Sequence, residues 1–555
     1  MKTNKTLIHI LFVCVGLIVI NAISSNFYGR FDLTKDKRYT LSETTQSLIK
    51  AIDAPLVIDV FLEGDLPSEF RLLKTEVQQI IEEFQLTTNT IKVNYINPIE
   101  DEATRERNIE ELTKSGLEPY VNTDNNSAKV TQELIFPWAF ASYKNKTVKI
   151  PLLKRSLTQG LQEQVNSAVQ GLEYAFADGF NKLVNTKTKT VAILKGNGQL
   201  KDIYIADFLK TIQPYYNIAP FTLDSVSNNP QGTLDKLKTY DLIVAHKPSI
   251  AFSEEEKLVL DQYIMSGGKS LWLTEAVIMD KDSLYNDSGS GVSIMRDLNL
   301  KDFFFKYGVR INPNLVKDLY SAPIMLAIGE GSQAQLQPIQ WQYSPLAAAN
   351  PKHPSTKNLN LVKYDFASPI DTLKNAITKT VLLQSSPQSK LEGVPTVISL
   401  SEVTKNLDET SFNAGPQNLA VLLEGEFTSV YDKRILPFKV KNYKSKSPET
   451  KMVIISDGDL AKNEVIKNRP QELGFDQLTG KAFGNKEFLL NTINYLLDDN
   501  GLINIRAKNI SMAYLNSDKV KAEKVKWQTL NIATPLVFLT VFGFIFNYFR
   551  KKKYT

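Results

Sequence analysis

The sequence predicts an α/β protein anchored in a membrane at both ends. Three observations carry that expectation: an apolar run near each terminus, a strand–helix–strand order between residues 55 and 98, and a renewed strand–helix alternation from Thr190 onward. A chain of 555 residues has room for two to four domains, and 43% hydrophobic with 23% charged residues is ordinary for a globular protein.

The first apolar run, Leu7 to Ile23, follows Lys2 and Lys5. It is long for the core of a signal peptide, so residues 1–25 are expected to be an uncleaved transmembrane anchor; small Ala22 and Ser24 leave cleavage as the alternative. The second, Leu530 to Phe549, ends against Arg550-Lys551-Lys552-Lys553 and is expected to be a transmembrane helix over 530–549, within which Pro535 and Gly543 are tolerable. Before it, Lys519, Lys521, Lys524 and Lys526 make 511–529 a basic juxtamembrane segment facing acidic headgroups. Basic tails cross membranes poorly, whereas long domains cross regardless of charge. Both termini, with the tail 550–555, are therefore expected in the cytoplasm, and the block between the anchors in the periplasm of a bacterium.

Residues 26–185 read as one domain. Ser42 caps a short helix, "SETTQSLIKAI", before the buried strand "PLVIDVFLEG". The segment from Ser68 to Gln85 places Phe70, Leu73, Val77, Ile80 and Phe84 on one helical stripe, and "IKVNYINP" alternates as a strand. A helix over about 104–115, strand-like "TQELIFPWAFASY" and "KTVKIPLL", and a long helix over about 157–183 complete a thioredoxin-like order. Its redox position falls in "EGDLPSEF", which holds no cysteine, so disulfide exchange is excluded and a scaffold or docking role fits better.

Residues 186–510 read as a second α/β domain. "TVAILKGNG", "IAPFTLD", "YDLIVAHKPS", "SLWLTE" and "KMVIISDGD" are short apolar runs of the kind found in parallel sheets. Between about 280 and 449 the alternation gives way to an irregular insertion rich in Ser, Pro, Gln and Asn. There "DSGSGVS" reads as a flexible loop without the spacing of a nucleophile elbow, and Trp341 with Tyr343 as local packing or an aromatic partner surface.

Composition removes several kinds of chemistry. The one cysteine, Cys14, lies in the first apolar run, so the rest of the chain has no disulfide, thiolate zinc site or cysteine nucleophile. Only His9, His246 and His353 supply imidazoles, and a net charge of +5 spread along the chain does not argue for nucleic acid.

The string "YIMSGGKSLWLTE" contains Gly268-Lys269-Ser270, which ends many phosphate-binding loops. The required earlier glycine would be residue 263, which is Tyr263, and the flanks are inverted: a helix precedes and a strand follows. Ser253 to Glu256 forms a capping box for that helix, and Gly267 fits its left-handed stop. No nucleotide or other cofactor is expected.

"SDGD", Ser456 to Asp459, follows a buried strand. Paired acids there would hold magnesium or act as acid and base, or else form an Asx turn around Gly458; Ala461 breaks the phosphatase pattern. Polar residues recur at the predicted strand ends: Lys195, Asn197, His246, Glu275, Asp457 and Asp459. They would line one candidate ligand crevice, unless they are the ordinary polar ends of any α/β sheet. No catalytic or metal-binding residue is assigned.

"RFDLTKDKRYTLSETTQSLI", "VFLEGDLPSEF", "YIMSGGKSLWLTE", "VIISDGDLAKNE" and "FGNKEFLLNTINYLLDDNGLINIRAK" occur in that order between the two apolar runs. Together they resemble the gliding-motility-associated ABC-transporter auxiliary proteins of the Bacteroidota, the GldG family. The resemblance spans nearly the whole chain. It implies a non-enzymatic auxiliary subunit beside a separate permease and a separate cytoplasmic ATPase. It also implies a Rossmann-type, class-I glutamine-amidotransferase-like fold for the middle region, without that fold's catalytic cysteine. The alternative is a periplasmic receptor for a small molecule or glycan, using the strand-end crevice. A hydrolase relying on His246, His353 or the Asp457/Asp459 pair would have no recognisable nucleophile.

Overall fold

Residues 191–194 and 452–455 are apolar without a polar break, a pattern that requires a strand covered on both faces. The computed structural model describes residues 10–21, 32, 40–124, 131–157, 159–328, 335–404, 407–498, 501–508 and 517–554. Lys2, Lys5, the alternative cleavage site at Ala22 to Ser24, and residues 33–39 lie outside the described residues. The chain forms two compact units, 1–508 and 509–555, and each is described by itself.

In the first unit a small sheet comes first. Its strands are β1 (Leu56–Val60), β2 (Ile91–Tyr95), β3 (Trp138–Tyr143) and β4 (Lys146–Pro151), in the order β2-β1-β3-β4. β1 and β2 run parallel across the helix Ser68–Thr87, while β3 and β4 are antiparallel. That helix buries Phe70, Leu73, Val77, Ile81 and Phe84, and Phe84 meets Phe176 and Phe180 of the helix Leu161–Val184 at 5.5 and 5.4 Å. Ser42 caps the short helix Glu43–Lys50 by accepting from the Thr45 amide. "TQELIFPWAFASY" is not one strand: Thr131–Ile135 pairs with Tyr120–Asp124, and β3 starts afresh after Pro137, which has no N–H to continue a ladder.

The main sheet contains β5 (Thr190–Lys195), β6 (Asn217–Thr222), β7 (Leu242–His246), β8 (Lys269–Leu273), β9 (Ser321–Ile328), β10 (Gln335–Ala349), β11 (Thr378–Gln384), β12 (Asn418–Thr428) and β13 (Lys446–Ile455). Their order is β9-β10-β11-β12-β13-β8-β7-β5-β6, and the short strand Val362–Lys363 also pairs with β10. From β6 to β13 all neighbours are parallel; from β13 to β9 all are antiparallel. Alternate residues of the parallel strands feed two cores. Ala192, Ile243, Trp272 and Ile454 pack under the helix Glu254–Met265, whereas Val191, Val244, Leu271 and Val453 pack under the helix Asn485–Leu497.

The stretch 280–449 is more regular than its composition predicts, since β9 to β12 form the antiparallel half of the sheet. Short runs broken by Pro, Ser and Asn conceal pairings between residues distant in sequence. "DSGSGVS" likewise enters a strand, Ser290–Met295, paired with Val277–Ile278 and Thr396–Ser399. Trp341 and Tyr343 are buried, with rings 5.2 Å apart, so they are core.

The "GGKS" stretch is a helix stop. Both halves of the Ser253/Glu256 capping box are present, Gly267 has φ +94°, and the Gly268 amide returns to the Tyr263 carbonyl at 3.0 Å. A Cβ on Gly268 would stand 2.3 Å from the Tyr263 ring.

Among the described residues the second unit is the helix Ser517–Tyr554, continuous through the basic residues that precede the apolar run. Its stretch Ala522–Lys552 is long and apolar enough to cross a membrane. Near the N-terminus the described apolar helix is the shorter Ile10–Asn21.

Candidate functional site

Strand order decides what meets at the carboxyl edge of the sheet. Because β7, β8 and β13 are adjacent and parallel, Lys247, Glu275 and Asp457 leave the sheet side by side. The Lys247 amide still bonds the β8 carbonyl of Leu273 at 2.8 Å, and the Thr274 amide bonds the β13 carbonyl of Ile455 at 3.0 Å. The turn after β13 then brings in Asp459. Asp457 accepts the Asp459 amide at 2.7 Å on one oxygen and the Asp365 amide at 2.8 Å on the other. The first bond is the Asx turn that Ser-Asp-Gly-Asp favours.

Glu275, Asp457 and Asp459 each offer an oxygen, all within 4.8 Å of one another. Between them stands Lys247. Its ammonium lies 3.2 Å from Glu275 and 2.6 Å from Asp459, and it also bonds Asp280. Arg296 holds the other Glu275 oxygen at 3.2 Å. The Lys247, Glu275 and Arg296 side chains are 8%, 6% and 8% exposed, so these pairs are poorly screened. Lys247 has φ 47°, an unusual conformation for a residue with a Cβ, and a Cβ on Gly458 would lie 2.9 Å from its Cα. Gly458 is what lets the two turns approach.

Burial and the neighbouring Asp459 charge push Glu275 up to about 7, against the pull of Lys247 and Arg296. Burial, with Asp459 and Glu275 beside it, raises Asp457 well above the carboxylate range. Burial opposes the charge on Lys247, yet Glu275, Asp459 and Asp280 hold its ammonium well above the usual lysine range. The carboxylates are of the type that bind hard divalent ions. Any such ion would compete with the Lys247 ammonium for the same Glu275 and Asp459 oxygens, so the lysine acts as the resident cation.

The six residues singled out at strand ends divide into two groups. Glu275, Asp457 and Asp459 come together; no hydrogen bond or ion pair among the described residues joins Lys195, Asn197 or His246 to them. Lys195 pairs with Asp202. Asn197 donates to Glu256 at 3.1 Å and its carbonyl accepts the Ser249 and Ile250 amides, which ties it to the start of the Glu254–Met265 helix. His246 is fully buried with neither ring nitrogen hydrogen-bonded, and burial followed by the Lys195 charge pulls its pKa down to about 3. It is a neutral residue of the β5/β7 boundary. His353 accepts the Ser355 amide within its own turn, and buried Ser355 lies 2.8 Å from the same ring nitrogen. That geometry fixes the turn. Sequence reasoning missed Lys247, Asp280 and Arg296. The available signal for Lys247 was its place directly after His246 in the same polar strand end; Asp280 and Arg296 come from the stretch that reads as irregular.

Residues 188–492 match the family described as "ABC-type uncharacterized transport system", and residues 35–142 match a domain of unknown function. An uncharacterized protein of Borreliella burgdorferi (strain ATCC 35210 / DSM 4680 / CIP 102532 / B31) is 21% identical over 433 residues, covering 77% of each chain. Among solved structures, the mmIFT52 N-terminal domain aligns at TM-score 0.30 and 11% identity, over 56% of this chain and 98% of its own. A putative ThuA-like protein from Parabacteroides merdae aligns at TM-score 0.27 and 10% identity, over 59% and 93%.

Proposed function

The chain belongs to the ABC-type transport system family whose profile covers residues 188–492, and from that premise we propose that it is a non-catalytic docking and coupling subunit of a membrane ABC complex. Membership makes it an auxiliary component of such a transport system. The finer reading adds a separate permease and cytoplasmic ATPase as partners, a periplasmic location for the block between the two apolar runs, and a role connected with gliding motility.

The observation that carries docking over ligand reception is the state of the strand ends. A doubly wound sheet offers ligands the crevice outside its carboxyl edge. Here Lys247, Glu275, Asp280, Arg296 and Asp459 engage one another in that position. A glycan or small-molecule receptor would need those groups open to its ligand. The order β2-β1-β3-β4 with flanking helices supports a cysteine-free thioredoxin-like domain, and the parallel half of the main sheet supports an amidotransferase-like one.

Membrane placement draws support from the second unit. Trp527 and Tyr548 stand 21 positions apart, roughly 32 Å along a helix. That matches a hydrocarbon layer of about 30 Å bordered by interfacial aromatics. The basic residues after Tyr548 favour a cytoplasmic C-terminus.

Purification of the full-length protein from native membranes in mild detergent, followed by identification of co-purifying chains, tests the proposal. A permease and an ATPase in constant ratio are expected. Recovery without either, under conditions that keep other ABC complexes intact, would sink it.

A further inference from the structure

Where the N-terminal sheet and its long helix meet the main-sheet region, the first unit encloses a cavity of about 170 Å³. One wall is a face of the helix Leu161–Val184 built from Gln164, Ser167, Ala168, Gly171 and Ala175, which recur at helical spacing. The other includes Lys357, Glu487 and Arg506. The space arises from the short side chains: a Cβ on Gly171 meets no heavy atom of the described residues within 4 Å.

The charge around this space is unbalanced. Lys149, Lys154, Arg155, Lys357 and Arg506 line it, against Asp178 and Glu487. Both acids are already engaged: Glu487 with Lys154 at 2.5 Å and Arg506 at 3.1 Å, Asp178 with Lys182 at 2.8 Å and the Tyr215 hydroxyl at 2.8 Å. Lys149 donates to the Gly116 carbonyl, Lys357 donates to the Lys508 carbonyl among its contacts, and Arg155 donates to the Pro119 carbonyl and also stands 4.0 Å from the Glu118 carboxylate. A carbonyl oxygen satisfies the Lys149 donor without cancelling its charge.

Arg506 carries the strongest signal. It is 9% exposed, and its terminal nitrogens bond Glu487, Asn491 and the Lys357 carbonyl, while its Nε has no partner. A buried donor without an acceptor is costly, and an anion supplies both the acceptor and the missing charge. Burial, followed by the Arg506 charge, also holds the Lys357 amine below its usual range, the mark of two cations crowded together.

We propose that this seam binds a small organic anion, a phosphate monoester or carboxylate with a body no larger than a benzene ring. Guanidinium and ammonium groups supply the anion recognition. The volume sets the size, since a cavity of about 150 Å³ accommodates benzene. Because its walls come from both halves of the unit, a bound anion braces one against the other. The site is separate from the strand-end cluster, and it does not depend on the partnership proposed above.

The test is thermal unfolding of the full-length protein in detergent, titrated with glycerol 3-phosphate, lactate, inorganic phosphate and uncharged glycerol. At least one of the two organic anions is expected to raise the Tm saturably by several degrees; inorganic phosphate gives less and glycerol nothing. Gly171→Leu, which fills the cavity, is expected to remove the shift while retaining a cooperative transition. Lys357→Gln is expected to weaken the half-saturating concentration at least tenfold, and it serves as the readout should Gly171→Leu not fold. No saturable shift with either organic anion would overturn the proposal. So would an equal shift with glycerol, or one that persists unchanged in the variants.

Discussion

At the strand ends, Lys247 reaches three carboxylates and Arg296 takes the remaining Glu275 oxygen, so the charges offset one another, although Arg296 Nε and Asp459 Oδ1 make no hydrogen bond there. At the seam, Arg506 and Lys154 share Glu487, an Nε again makes no hydrogen bond, and cationic side chains outnumber acidic ones around an open space. The two sites use the same residue types to opposite ends. A closed cluster fixes the relative positions of three strand ends, and the chain has tightened around it through Gly458. A cluster left unbalanced beside a void is arranged for something that comes from outside. Buried charge by itself therefore indicates nothing about ligand binding; the informative quantity is how the charges balance and whether they border open space.

The hardest way to break the closed cluster is to remove its only central cation. Lys247→Met leaves Glu275 and Asp459 facing one another in a largely buried site, with the more exposed Asp280 beside them, and is expected to cost about 3–5 kcal/mol of stability. Denaturant unfolding of the full chain, followed by near-UV circular dichroism, reads this loss. A change below about 1 kcal/mol would mean that water already screens the cluster.

Gly458→Ala probes the same closure through space instead of charge. The new Cβ would meet the Lys247 Cα at 2.9 Å, and backbone cannot swing aside, so a loss of about 1–3 kcal/mol is expected. Unchanged stability would show that the two turns separate at little cost.

Acid and base limbs separate the two sites. Glu275 is raised to about 7 by burial and by Asp459, above its unfolded value near 4.5. Its folded form holds the proton more tightly, so its contribution is present below about pH 4.5 and is lost as pH rises towards 7. Glu487 runs the other way. Burial opposes its charge, but Lys154 and Arg506 bring it down to about 2, so its contribution is present above about pH 4.5 and is lost as pH falls towards 2. Glu275→Gln is expected to flatten the stability profile between pH 4.5 and 7, and Glu487→Gln the limb below 4.5. Exchange of those two effects, or loss of neither slope, would contradict the assignments.

How much of this the sequence discloses depends on the range of the interactions. Local signals were legible: the Ser253/Glu256 capping box, the Gly267 helix stop and the Asx turn at Asp457 each involve residues within four positions of one another. The parallel strands were legible because burial on both faces leaves unbroken apolar runs. The antiparallel half was not, since β10 to β12 are defined by partners tens of residues away and by polar outer positions. The candidate site was half legible for the same reason. Glu275, Asp457 and Asp459 could be placed at strand ends, but the partners that close their charges come from the turn after His246 and from the 280–296 stretch. The seam left no trace in local pattern, because Arg506 and Gly171 meet only through the packing of the N-terminal helix on the main-sheet region.

The smallest effect sharpens the contrast most directly, because it is the same class of substitution as Gly458→Ala with the opposite sign. Gly171 lies inside the helix Leu161–Val184, where glycine is disfavoured by backbone entropy, and its missing Cβ points into open space. Gly171→Ala is therefore expected to stabilise the full chain by about 0.5–1 kcal/mol in the same denaturation experiment. A single methyl narrows the cavity without filling it, so the anion-dependent rise in Tm is expected to persist in reduced form. Destabilisation by Gly171→Ala would mean that the helix face is packed in solution, and that the seam is as closed as the strand ends.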